Sequence, residues 1–118
     1  MTSSTILIVD DSRVSRMLVR AIIEHSDKDL KIVEAGTGEE ALIKTKDISV
    51  TMAILDLNMP GMDGLILATE LLQKFPNLKI GLLTANIQDI VRQKAKDLKI
   101  DFIPKPITEE KILSFIYE

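Results

Sequence analysis

The chain has 118 residues, is 46% hydrophobic and carries a formal net charge of −3. That length predicts a single domain with a real core, and the mildly acidic balance gives no support for nucleic-acid binding, which leaves a basic footprint. With no cysteine, disulfides, thiolate metal sites and thiol catalysis are excluded.

Short apolar runs alternate with amphipathic stretches, the pattern of βα units around a parallel sheet. Aromatics are only 3% and tryptophan is absent, so the core must be aliphatic. The start, Met1-Thr2-Ser3-Ser4-Thr5, has no basic leader, and the apolar run behind it is too short for a signal peptide. No segment approaches the length that spans a bilayer, so a cytoplasmic chain without a membrane partner is expected.

Ile6-Leu7-Ile8-Val9 reads as the first strand and runs into Asp10-Asp11. Ser12 caps a helix in which Val14, Met17, Leu18, Ala21 and Ile22 form the expected buried face, with Arg13, Arg16 and Arg20 opposite. Leu30 to Ala35 is a second strand, alternating and therefore suited to an edge. Gly36-Thr37-Gly38 is a turn, and a short helix runs from Glu39 to about Asp47. The third strand, Thr51 to Leu55, is apolar on both faces and should be central. It runs into Asp56 and the turn-rich loop Asn58-Met59-Pro60-Gly61-Met62-Asp63-Gly64.

Leu65, Ala68, Leu72 and Phe75 mark a helix ended by Pro76-Asn77. Leu78 to Leu83 is the fourth strand, ending on Thr84. A helix capped by Asn86 follows, with Ile87, Val91, Ala95 and Leu98 inward. Ile100 to Pro104 is the last strand and leads into Lys105-Pro106. Thr108 caps a final helix whose first turn holds Glu109 and Glu110, favourable at the positive end of its dipole, and whose apolar face is Ile112, Leu113 and Ile116.

If these strands are parallel, three acids, a hydroxyl and a lysine meet at the carboxyl-terminal edge of one sheet, where open α/β sheets bind ligands. A carboxylate such as Asp56 can attack phosphorus, and Asp10 with Asp11 can hold Mg2+, which needs only a few carboxylates, carbonyls and waters. Each residue alone has a plainer role: solvated acids before a helix, a turn hydroxyl at Thr84, a loop lysine at Lys105. Their common placement on different strands is what favours the site. His25, the sole histidine, is expected as a solvated surface residue.

In the order Asp10-Asp11, Asp56, Thr84, Lys105-Pro106, with Asp56-Leu57-Asn58-Met59-Pro60-Gly61-Met62-Asp63-Gly64 between, the chain resembles the receiver domain of bacterial two-component response regulators, of the chemotaxis-regulator kind. The resemblance covers essentially residues 1–118. It implies a flavodoxin-like, doubly wound (βα)5 sandwich with strand order 2-1-3-4-5; the chemotaxis receiver protein is itself a standard instance of that order.

Carried over residue by residue, the resemblance makes Asp56 the phosphoacceptor. It gives Mg2+ to Asp11 through its side chain, Asp10 mainly through a water and Asn58 through its backbone carbonyl. Lys105 pairs with the phosphoryl group, Thr84 moves to hydrogen-bond it, and Ala85 leaves room above it. Phe102 is the aromatic switch, where the family often has tyrosine, so the hydroxyl is lost. Pro106 is expected to follow a cis bond, although only about 5–6% of X-Pro bonds are cis.

The implied partners are a sensor histidine kinase or phosphotransfer protein, with Arg13 and Arg16 as docking contacts, and a downstream protein or attached output domain. The downstream contact lies on the face made by the fourth helix, fifth strand and fifth helix. The implied state is a monomer, with a dimer on activation as an alternative. The chain is then no enzyme beyond its own phosphoryl transfer and dephosphorylation. A haloacid-dehalogenase-like phosphatase fits less well, because it places its nucleophile on the first strand with an acid two residues on, where Asn58 stands here. A flavodoxin-like nucleotide-binding module lacks its glycine loop after the first strand.

Overall fold

The computed structural model describes residues 4–118, so the start of the chain at residues 1–3, on which the expected lack of a leader partly rests, lies outside the described residues. Strands and helices alternate: β1 (Thr5–Val9), α1 (Arg13–Ser26), β2 (Lys31–Ala35), α2 (Gly38–Lys44), β3 (Met52–Asp56), α3 (Gly64–Lys74), β4 (Lys79–Thr84), α4 (Asp89–Asp97), β5 (Asp101–Pro104) and α5 (Glu109–Tyr117). All four strand pairings are parallel, in the order β2-β1-β3-β4-β5. This is the flavodoxin-like order expected, with β3 at the centre and β2 at an edge.

The alternation of side chains along a strand divides the core in two. Leu7, Val9, Ala53, Leu55, Ile80 and Leu82 pack with α2, α3 and α4 through residues such as Ala41, Leu67, Leu71 and Val91. Ile6, Ile8, Ile54, Leu83 and Ile103 pack with α1 and α5 through Val19, Ile23, Ile112 and Phe115. Ser12, Thr37, Asp63 and Thr108 each accept a backbone N–H from the first turn of the helix they precede, which satisfies donors that a helix start leaves open.

The expected face of α1 is wrong for most of its residues, although Ile22 does pack against the core. Val14, Met17 and Leu18 are 75%, 58% and 44% exposed, while Val19 and Ile23 are buried. Arg16 and Arg20 turn toward the sheet instead, because both pair with Glu34 on β2. In the same orientation the helix presents Val19 and Ile23 to the core. Smaller corrections concern α4 and α5. Ile87 is exposed, and Asn86 does not cap α4; its Oδ1 accepts the N–H of Gln88 at 3.0 Å, which itself stands at the N-cap. On α5, Phe115 is buried beside Ile112. Near the far end of this helix the Tyr117 hydroxyl lies 3.4 Å from Ser26 Oγ. No helix among the described residues is long and apolar enough to cross a membrane.

Candidate functional site

Register builds the site. β1 and β3 pair with Val9 opposite Leu55, so one step further brings Asp10 beside Asp56 across neighbouring strands, spaced about 4.8 Å apart. Carboxylate oxygens of Asp10, Asp11 and Asp56 lie within 4.8 Å of one another. Asp10 and Asp56 are almost wholly buried, at 3% and 4% exposure, and Asp11 is exposed. On the other side of β3, Asp56 pairs with Leu83 on β4. This sets Thr84, also buried, at the same edge.

Lys105 arrives from the end of β5, its N–H bonded to the Thr84 carbonyl at 2.8 Å. Its Nζ lies 2.8 Å from Asp56 Oδ1. The Lys105-Pro106 peptide bond is cis.

Burial raises the pKa of Asp56, opposed by the hydrogen bond and charge of Lys105. Burial likewise raises that of Asp10, opposed by the Ser12 N–H and reinforced by the charge of Asp56. For Lys105 burial pulls downward, but the hydrogen bond and charge of Asp56, with the charges of Asp10 and Asp11, outweigh it and the pKa rises. One ammonium beside three carboxylates leaves net negative charge, which disfavours ionisation of the buried pair.

Asp10 supplies a direct indication of what is needed. Its Oδ1 accepts the Ser12 N–H at 2.9 Å, whereas Oδ2 is buried without a hydrogen-bond partner. A buried carboxylate oxygen left unpaired is costly. A hard divalent cation such as Mg2+ suits this all-oxygen donor set, so the residues fit the metal.

The remaining expected residues surround this group without joining it. Thr84 Oγ1 accepts the Asn86 N–H at 2.9 Å, and Ala85 and Asn58 are exposed. Phe102 packs into the core on the α4 side, with the Arg92 guanidinium 4.5 Å from its ring centroid. Two residues named in the sequence reading for other reasons, Gly64 in the loop motif and Arg16 as a docking contact, prove to touch the acids' backbone. Gly64 packs directly under the Asp56 backbone, and Arg16 Nη1 donates to the Asp10 carbonyl at 2.6 Å. The available signal for Arg16 was its position four residues before Arg20, matched by Glu34 as the one acid in β2.

The chain matches the model of the response regulator receiver domain over residues 6–117. It is 33% identical over 113 residues to the chemotaxis protein CheY of Listeria monocytogenes, covering 92% of this chain and 91% of that protein. The structure of the response regulator protein TrrA from Thermotoga maritima in complex with Mg2+ and beryllofluoride superposes with a TM-score of 0.80 at 30% identity, covering 95% of this chain and 98% of that one. A chain of the CheX–CheY–BeF3–Mg complex from Borrelia burgdorferi superposes with a TM-score of 0.86 at 26% identity, covering 96% of this chain and 86% of that one.

Proposed function

The chain belongs to the response regulator receiver domain family, and on that premise we propose that Asp56 is its phosphoacceptor, that Asp10 and Asp11 hold Mg2+, and that residues 1–118 act as one such domain. A receiver is a signalling domain of two-component systems, so the function is a switch set by phosphorylation. The observation that carries the site assignment is the unpartnered, buried Oδ2 of Asp10 within a three-carboxylate cluster.

In the proposed reaction an Asp56 carboxylate oxygen attacks phosphorus of a phosphohistidine or small acyl phosphate. The new O–P bond forms as the bond to the donor breaks, and the electron pair leaves with the donor. Bound Mg2+ offsets the negative charge shared by carboxylates and phosphoryl oxygens. Asn58 would supply a backbone carbonyl to the same metal. Lys105 changes partner: it pairs with Asp56 Oδ1 before transfer and with a phosphoryl oxygen afterwards, a compact cation suited to both.

Thr84 gives up its bond from the Asn86 N–H to reach the phosphoryl group, and exposed Ala85 leaves space for it. Phe102 then repacks, so α4, β5 and α5 carry the signal to a downstream protein or output domain. A histidine kinase or phosphotransfer protein in the cytoplasm is the donor. The chain's only catalysis is its own phosphorylation and dephosphorylation.

Mass spectrometry after incubation with Mg2+ and acetyl phosphate tests this reading. One labile phosphoryl group is expected, absent without Mg2+ and absent in Asp56→Asn. No adduct on a folded wild-type chain would overturn it.

A further inference from the structure

We propose that Arg16 is a positioning residue for the metal carboxylates: braced on Glu34, its guanidinium holds the Asp10 carbonyl and with it the peptide plane that joins Asp10 to Asp11. The inference rests on the proposed metal role of these two acids. In a regular strand, successive side chains point to opposite faces. Asp10 and Asp11 are successive, yet oxygens of both lie within 4.8 Å of each other and of Asp56. The chain must therefore leave strand geometry here with one defined orientation of the Asp10–Asp11 peptide.

Strand pairing cannot supply that orientation, because both ladders of β1 end at Val9. Three other contacts hold Asp10. The Asp10 N–H donates to the Ala35 carbonyl at 3.2 Å, its side chain accepts from Ser12, and its carbonyl accepts from Arg16 Nη1 at 2.6 Å. Only the last acts on the peptide unit between the two acids, and that unit is planar. Holding its oxygen sets the directions in which both side chains leave the backbone.

Arg16 is itself held. Its Nε donates to Glu34 Oε1 at 3.2 Å, and Arg20 Nη1 holds the other Glu34 oxygen at 2.7 Å. Gly36 lies beside the guanidinium, where a Cβ would stand in ordinary contact 3.4 Å from Arg16 Nη1. A planar fork of N–H donors can bridge a carbonyl and a carboxylate together, whereas a lysine ammonium on its single stem is not preorganised for both.

The test compares wild type with R16A, R16K and R20A by calorimetric Mg2+ titration, and by the initial rate of acetyl phosphate labelling across a Mg2+ series. Loss of a group that orients metal ligands weakens metal affinity by about tenfold or more. R16A and R16K are expected to raise the half-saturating Mg2+ concentration by about that factor, with labelling at saturating Mg2+ little changed, the signature of lost binding. R20A removes only the second brace on Glu34 without touching Asp10, and should shift the value much less than the Arg16 variants do. Should R16A fail to fold, R16K keeps the charge and carries the comparison.

Wild-type Mg2+ affinity in folded R16K, or an R20A shift as large as that of the Arg16 variants, overturns the proposal. A wild-type chain that takes up no Mg2+ overturns the metal reading itself, a separate result visible in the first titration.

Discussion

Gly64 and Asp56 are packed backbone to backbone. A Cβ on Gly64 would run into the Asp56 carbonyl oxygen, and would lie 3.0 Å from both the Asp56 carbonyl carbon and Leu57 Cα. The Gly64 N–H also donates to the Leu57 carbonyl at 3.0 Å, so the first turn of α3 is drawn against the end of β3. Glycine here is a matter of clearance. It lets a helix start lie directly against the residue proposed to carry the phosphoryl group.

Gly64→Ala should therefore act on stability and site together. Overpacking against backbone, which cannot rotate aside, costs about 1–3 kcal/mol. Urea unfolding should show that loss, and acetyl phosphate labelling of the folded fraction should slow as Asp56 shifts. Wild-type stability with wild-type labelling would mean that α3 can slide away without cost.

Asp10→Asn should stabilise the metal-free protein near neutral pH by about 1–2 kcal/mol, the scale of a buried unsatisfied polar group. The sign follows from the raised pKa of Asp10. The folded state binds the proton more tightly than the unfolded chain, so this group's contribution is fully present below the ordinary value of 3.8. It is lost as pH rises through the raised folded value. The advantage of the Asn variant should thus shrink on acidification and vanish below that ordinary value. Thermal melts in a chelator across pH measure it.

Glu34 behaves in the opposite sense. The Arg20 hydrogen bond, with help from Arg16, holds its carboxyl below the ordinary value of 4.5. Its contribution is present above 4.5 and lost as pH falls through the lowered folded value. Glu34→Gln should flatten that part of the acid limb of the stability curve. The expected loss at neutral pH is about 1 kcal/mol or less, as for partly exposed ion pairs. An unchanged acid limb would show that these pairs add nothing to folding.

The corrected face of α1 makes a sharp comparison. Ile23→Ala removes a buried side chain and should cost about 2–5 kcal/mol. Leu18→Ser, at an exposed position, should stay within about 0.5 kcal/mol of wild type. Denaturant midpoints decide it, and a large loss at Leu18 would restore the face that periodicity alone suggests.

That comparison also shows what the chain discloses in one dimension. Apolar runs mark β1, β3 and β4, because strands covered on both faces must be apolar throughout. The acids and Lys105 could be anticipated because parallel strands deliver their carboxyl ends to one edge. The face of α1 could not, since the apolar stripe at Val14, Met17 and Leu18 satisfies helical periodicity as well as Val19 and Ile23 do. What decides between them lies outside the helix, in the core residues of β1, β3 and α5 that Val19 and Ile23 meet. Phe115 was missed for a similar reason. Its pocket exists because Gly81 on β4 lacks a side chain, and a Cβ there would stand 2.5 Å from Ile103 Cδ1 and 3.0 Å from Phe115 Cε1. Such complementarity joins residues far apart in sequence and leaves no local trace.

The contact between Tyr117 and Ser26 has an optical consequence. Tyr117 is the single tyrosine and there is no tryptophan, so intrinsic ultraviolet fluorescence comes mainly from one ring. That ring stands where α1 and α5 end, and helices that return a chain between parallel strands end at the sheet edge opposite Asp56. The native emission is thus a gauge of how these two helices meet, and a fluorophore for events at Asp56 has to be built in near Phe102.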